Sequence, residues 1–146
     1  EAIRPIVGHI TGVDLSQKML DIAFQCMRID ETINSDMLEF LADCTETQAT
    51  YDLIVCGDAL VYLGELKELL GHVQRTLSND GVFCFTVENL IDGDFKLRPS
   101  GRFAHSVEYI TKILEKTGLK TKVNKAIIPR QDSDESIHGR LYLAQN

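Results

Sequence analysis

The stretch YDLIVCGDALVYLGELKELLGHVQRTLSNDGVFCFTVE, residues 51–88, decides the fold. Tyr51 to Cys56 is apolar enough for a strand buried on both faces. Leu66, Leu69, Leu70, Val73 and Leu77 then recur at the spacing of one helical face. That stripe stops at the turn residues Ser78 to Gly81, and Val82 to Val87 returns to strand. A strand, a helix and a second strand in this order form a parallel crossover unit, with Tyr51 to Cys56 as the central strand.

Upstream, Ile10 to Leu15 reads as a short strand, and Ser16 suits the N-cap of a helix whose buried face is Met19, Leu20, Ala23 and Met27. Glu31 to Ser35 makes a further strand, Met37 to Leu41 a short helix, and Thr45 to Thr50 a polar loop. The opening EAIRPIVGHI reads as the interior of a helix rather than a natural N-terminus. Downstream, Ser106 suits the N-cap of a helix carrying Tyr109, Ile110, Ile113 and Leu114, closed by a left-handed cap at Gly118. Lys120 to Pro129 and His138 to Ala144 read as an antiparallel pair joined by the polar loop Arg130 to Ile137. The sum is one α/β domain, residues 1–146, with a mainly parallel sheet and a C-terminal antiparallel hairpin.

Composition narrows the function. At 44% hydrophobic and 25% charged residues the chain can bury a core of its own. Its longest apolar tract, Leu53 to Leu63, is broken by Gly57 and Asp58 and falls well short of the roughly 20 residues of a membrane helix, so no membrane partner is expected. A net charge of −7, with 15 scattered Lys and Arg, disfavours a nucleic-acid partner and leaves a small molecule or a protein. Cys26, Cys44, Cys56 and Cys84 show no C-x-x-C spacing and read as reduced thiols of a cytoplasmic protein. His9, His72 and His138 stand apart from each other and from any cysteine pair, and no metal site is expected. Glu65, Glu68 and the run Asp132 to Glu135 read as solvated charges.

In open α/β sheets ligands bind beyond the carboxyl ends of the strands, and acidic residues fall there. Asp14 ends the first strand, where a carboxylate suits the two hydroxyls of a nucleotide ribose; it also suits a helix start. Asp36 ends the second strand ahead of Met37 and Leu38, where it suits an adenine amino group or, equally, the N-cap of the next helix. Asp58 follows the central strand, and Gly57 beside it lets backbone approach a ligand. A charge in that position wants a partner.

The segments GVDLSQKML, YDLIVCGDALVYLGEL, DGVFCFTVE and SGRFAHSVEYI follow one another as in class I S-adenosylmethionine-dependent methyltransferases, which the chain resembles from Glu1 to its end. The likeness is strongest to bacterial members that often carry tetratricopeptide repeats ahead of the catalytic domain. It implies a Rossmann-like sandwich built on a seven-stranded sheet, with S-adenosylmethionine as cofactor. It implies further that Asp14 and Leu15 meet the ribose, Asp36 and Met37 the adenine, and Gly57, Asp58 and Ala59 the methionine part. The family's first strand and its G-x-G-x-G loop have no counterpart in the sequence and belong ahead of Glu1. In the family's strand order the missing strand lies between Ile10 to Leu15 and Tyr51 to Cys56. Two inner edges are therefore expected to lack a neighbour, at about 1 to 3 kcal/mol for each buried unpaired group. A chain so exposed is expected to be unstable, re-paired or domain-swapped, as in a homodimer.

Methyl transfer needs orientation more than a dedicated nucleophile. For an amine or hydroxyl acceptor His105 is the candidate base, together with Tyr62, while Glu88, Arg102 and Tyr109 are candidate substrate-binding residues. His105 reads equally as a helix-start neighbour of Ser106 that hydrogen-bonds a loop, Arg102 as an ion-pair partner, and Tyr62 as a packing residue. Two other functions fit the same fold. One is a non-catalytic interaction module or inactive fragment, and the other a nicotinamide-dependent oxidoreductase, which tight NADH binding would reveal.

Overall fold

The computed structural model describes residues 4–26, 28–132 and 135–146, with side chains 132 and 135 set aside. The chain divides into two compact units, Glu1–Thr47 and Gln48–Asn146.

In the first unit Arg4–Ile6 forms a single 3-10 turn. Of the expected helix interior, residues 4–10 hold one turn around Pro5, a residue helices accept only near their start, and residues 1–3 lie outside the described residues. Arg4 pairs with Asp30, donating from Nη2 to Oδ1 at 2.9 Å, and this holds the Asp30 carboxyl at about 2. Strand β1 (Thr11–Asp14) runs parallel to β2 (Glu31–Asn34), from Thr11↔Glu31 to Asp14↔Asn34. Helix α1 (Gln17–Gln25) crosses between them from the predicted cap, Ser16, whose hydroxyl accepts from the Met19 amide. Of its predicted face Leu20 is 3% exposed whereas Met19 is 57% exposed, and Met27 lies outside the described residues. Helix α2 (Met37–Thr47) is twice the expected length. Thr45 and Thr47, read as loop, return their hydroxyls to the carbonyls of Leu41 and Asp43, which satisfies polar side chains within the helix.

The second unit is a six-stranded mixed sheet. Strand β3 (Tyr51–Cys56) pairs in parallel with β4 (Leu77–Leu90), and helix α3 (Lys67–Thr76) crosses between them. Every residue of the predicted stripe, Leu66 to Leu77, is buried. The expected turn at Ser78 to Gly81 is a bulge instead. Pairing jumps from Tyr51↔Leu77 to Leu53↔Val82, and Asp80 takes a φ of 64°.

Two strands escaped the sequence reading: β5 (Phe95–Leu97) and β6 (Phe103–Ser106) form an antiparallel hairpin whose β6 lies parallel to β4. Helix α4 (Val107–Thr117) starts at Ser106 and ends at Gly118, whose φ of 85° is the left-handed cap that glycine adopts without strain. The terminal pair β7 (Lys120–Asp132) and β8 (Glu135–Gln145) is antiparallel as expected but longer, and β8 lies between β4 and β7. The core centres on β4, where Phe83, Phe85 and Val87 alternate inward at 1% exposure or less.

A single seven-stranded sheet is not found among the described residues. Strand β1 pairs only with β2, and β3 only with β4, so each carries one edge without a strand partner.

Candidate functional site

The first unit offers two carboxylates at strand ends. The Asp14 side chain is exposed, and its Oδ1 accepts from the Ser16 amide at 2.7 Å. Asn34 braces the same corner by donating from Nδ2 to the carbonyls of Asp14 and Leu15. Asp36 is the N-cap of α2, its Oδ1 accepting from the Leu38 amide at 2.7 Å. In each carboxylate one oxygen serves the backbone and the second has no partner among the described residues. That pair of acceptors suits a nucleoside, whose ribose hydroxyls and adenine amine need acceptors. Leu15 is 73% exposed beside Asp14, and Met37 is half-buried beside Asp36.

In the second unit the end of β3 opens onto Gly57, where an added Cβ would meet nothing within 4 Å. Burial pushes the neighbouring Cys56 thiol up to about 11, which keeps it protonated and unreactive at neutral pH. Asp58 has a φ of 53°, a left-handed conformation that side chains other than glycine rarely hold. Its amide donates to Thr86 Oγ1 at 2.9 Å, and Ala59 follows half-buried.

Asp58 lies in an ionic chain that includes residues absent from the sequence reading. Arg102 Nη1 donates to Asp58 Oδ2 at 2.9 Å, and Arg130 Nη1 stands 3.4 Å from Oδ1. Arg130 Nη2 donates to Glu88 Oε1 at 2.6 Å, and Arg98 Nε lies 3.6 Å from Glu88 Oε2. The order along the chain is Arg98, Glu88, Arg130, Asp58, Arg102. Arg102 also stacks on Tyr62, with 5.3 Å from guanidinium to ring centroid. Tyr62 is 61% exposed and Glu88 1% exposed. Scattered basic residues in an acidic sequence carry no spacing signal, so only the fold brings Arg98 and Arg130 to Glu88.

His105 and Tyr109 do something different. His105 is fully buried, and its Nε2 lies 2.9 Å from the Gly64 carbonyl. The Tyr109 hydroxyl accepts from the Leu66 amide at 2.8 Å. Together they pin the segment after Tyr62, and the two rings stack with centroids 5.9 Å apart.

Burial lowers the His105 pKa below the ordinary 6.5 more strongly than the Gly64 and Leu63 carbonyls and Glu88 raise it. The unfolded chain therefore takes up a proton near pH 6.5 while the folded chain resists. The His105 contribution is complete above pH 6.5 and is lost as pH falls from there through the lower folded value. Urea unfolding between pH 7.5 and 5.5, compared with His105→Gln, checks this as a decline in the wild type that the variant lacks. Parallel declines in both proteins would place the titration elsewhere.

A family model described as a methyltransferase domain matches residues 2–83, from the 3-10 turn into β4. No curated protein sequence matches significantly. Among solved structures, the N-methyltransferase NodS from Bradyrhizobium japonicum is 20% identical, with all of this chain and 78% of that chain covered and a TM-score of 0.72. An S-adenosylmethionine-dependent methyltransferase from Clostridium acetobutylicum is 17% identical over 98% of this chain and 77% of its own, with a TM-score of 0.69. The [4+2]-cyclase SpnF is 13% identical over 99% and 68%, with a TM-score of 0.74, so the fold also hosts another reaction. The Rossmann-like fold is common to all three. With more than half of its length matched by the family model, the chain belongs to the methyltransferase-domain family.

Proposed function

We propose that this protein transfers a methyl group from S-adenosylmethionine to a small-molecule or protein acceptor in the cytoplasm, where its four unbridged cysteines stay reduced. The observation that carries the reading is the methyltransferase-domain match across β1, α1, β2, α2 and β3. Asp14 accepts from the ribose hydroxyls with Leu15 beside it, and Asp36 accepts from the adenine amine with Met37 against the ring. Gly57, Asp58 and Ala59 line the methionine portion.

When bound, the cofactor supplies an electrophilic methyl group on a sulfonium. Tyr62 and the side chains around it would hold the acceptor's lone pair in line with that methyl group, and the acceptor's proton would pass to solvent. Orientation of the acceptor supplies most of the rate. Tyr62, exposed and steadied by Arg102, is the side chain that reaches the acceptor. His105 and Tyr109 are positioning residues, because they hold the segment that follows Tyr62.

Calorimetric titration with S-adenosylhomocysteine tests the reading. The wild type is expected to bind it, and Asp14→Ala to bind about 10- to 100-fold more weakly through loss of a charged acceptor. An Asp14→Ala protein with unchanged affinity would remove Asp14 from the site. A folded wild-type protein that binds no S-adenosylhomocysteine would sink the reading.

A further inference from the structure

The ionic chain begins and ends in a cation. It sets three guanidiniums against two carboxylates and so carries an excess positive charge within a protein of net charge −7. Both end cations come from one hairpin. Leu97 pairs with Phe103, and the Arg98 amide donates to the Arg102 carbonyl at 2.8 Å, which makes Arg98 and Arg102 the next facing pair.

Alternation along the strands puts Lys96, Arg98 and Arg102 on one hairpin face, and Phe95, Leu97, Phe103 and His105 on the other. The ring contacts of Phe95 with Phe103 and His105 confirm the second face. The cationic face thus has an aromatic backing that fixes its aim.

The end cations are held but not saturated. Arg98 Nη2 donates to the Asn89 carbonyl at 2.6 Å, which leaves Nη1 without a partner among the described residues. Arg102 engages Asp58 through Nη1, and among the described residues Nε and Nη2 have no partner. Arg98 and Lys96 also line an open groove of about 630 Å³ beyond the carboxyl end of β4, alongside Leu90, Ile91 and Ile137. That is a small-molecule volume with apolar walls, where two cations, Lys96 and Arg98, stand against the single carboxylate of Asp92.

We propose that the methyl acceptor is an anionic small molecule whose carboxylate or phosphate docks on Arg98 and Arg102, its apolar body lying along Leu90, Ile91 and Ile137. An oxyanion there offsets the excess cation of the ionic chain and uses guanidinium nitrogens that no described residue engages. The word acceptor rests on the methyl-transfer reading, whereas the anion site rests on the hairpin.

The experiment separates the two. The full-length protein, saturated with S-adenosylhomocysteine, is titrated with succinate and with inorganic phosphate while the arginine Nε–Hε signals are followed by NMR. At least one anion is expected to bind and to shift Arg98 and Arg102, and the stronger of the two names the oxyanion. The double variant Arg98→Gln, Arg102→Gln is expected to weaken that binding about tenfold or more. Lys96→Gln, at an exposed position where folding is not at stake, is expected to weaken it about two- to threefold. Lys96→Gln keeps S-adenosylhomocysteine affinity within about twofold, and the double variant, which also frees Asp58 from Arg102, loses less than about tenfold. If neither anion binds the loaded wild type, the site is refuted. If the arginine variants lose S-adenosylhomocysteine about tenfold or more, the arginines serve the cofactor's own carboxylate and the proposal falls. A wild type that binds the anions but not S-adenosylhomocysteine overturns the acceptor assignment, along with methyl transfer itself.

Discussion

Replacing Glu88 by alanine is expected to lower the unfolding free energy by about 3 to 5 kcal/mol, the cost of breaking a buried ion pair from one side. Glu88 is 1% exposed on β4, and the Arg130 side chain that meets it at 2.6 Å is itself only 18% exposed. Without the carboxylate, Arg130 keeps its longer 3.4 Å approach to Asp58 and Arg98 keeps the Asn89 carbonyl, so two cations are left with one carboxylate where they had two. Removing both partners, Glu88→Met with Arg130→Met, should cost much less, because no uncompensated charge remains. Denaturant unfolding of the two single variants and the double variant gives the coupling directly. A loss below about 1 kcal/mol for Glu88→Ala would show that Arg130 escapes to water and that the pair does not hold the sheet.

The sequence exposed the site unevenly, for a physical reason. Asp14, Asp36 and Asp58 stand out as candidates because each follows a strand, and strand ends are where such sheets bind ligands. Glu88, Arg102 and Tyr62 were legible as candidates, but their partners were not. Arg98 follows a three-residue strand whose side chains are all exposed, and Arg130 lies on a strand the sequence ended one residue earlier. Neither position has a hydrophobic period to place it.

The fold followed the same rule. Helices α3 and α4, with full apolar stripes and, for α4, clear caps at Ser106 and Gly118, were read almost to the residue. The hairpin of β5 and β6 went unread because Phe95 and Leu97 alternate with only one residue between them, Lys96, which is too short a pattern to register. Helix α2 was cut short because threonines that hydrogen-bond inside a helix look like loop residues in a sequence.

Phe85→Ala is expected to cost about 3 to 5 kcal/mol and to leave little of the domain folded at physiological temperature. The ring is fully buried and stacks on two others: Phe83, with centroids 4.6 Å apart, and Tyr142, at 5.0 Å and a 9° interplanar angle. Phe85 and Tyr142 are register partners, so the stack clamps β4 to β8, the pairing through which β7 joins the sheet. Alanine leaves a cavity that three strands cannot easily close. Val55→Ala on β3, where Val55 is 50% exposed, should stay within about 0.5 kcal/mol and serves as the comparison. Thermal unfolding of both variants checks the contrast, and equal losses would mean that the aromatic stack contributes no more than a surface valine.

The left-handed backbone of Asp58 sets two selective pressures against each other. Glycine would relax that backbone, so a search for heat-resistant variants alone should favour it. It would also strip Arg102 and Arg130 of their shared anchor and release Tyr62 from the guanidinium above it. Lineages improved for endurance and lineages improved for turnover should therefore part company at this codon, with an aspartate persisting wherever the chemistry is still under selection.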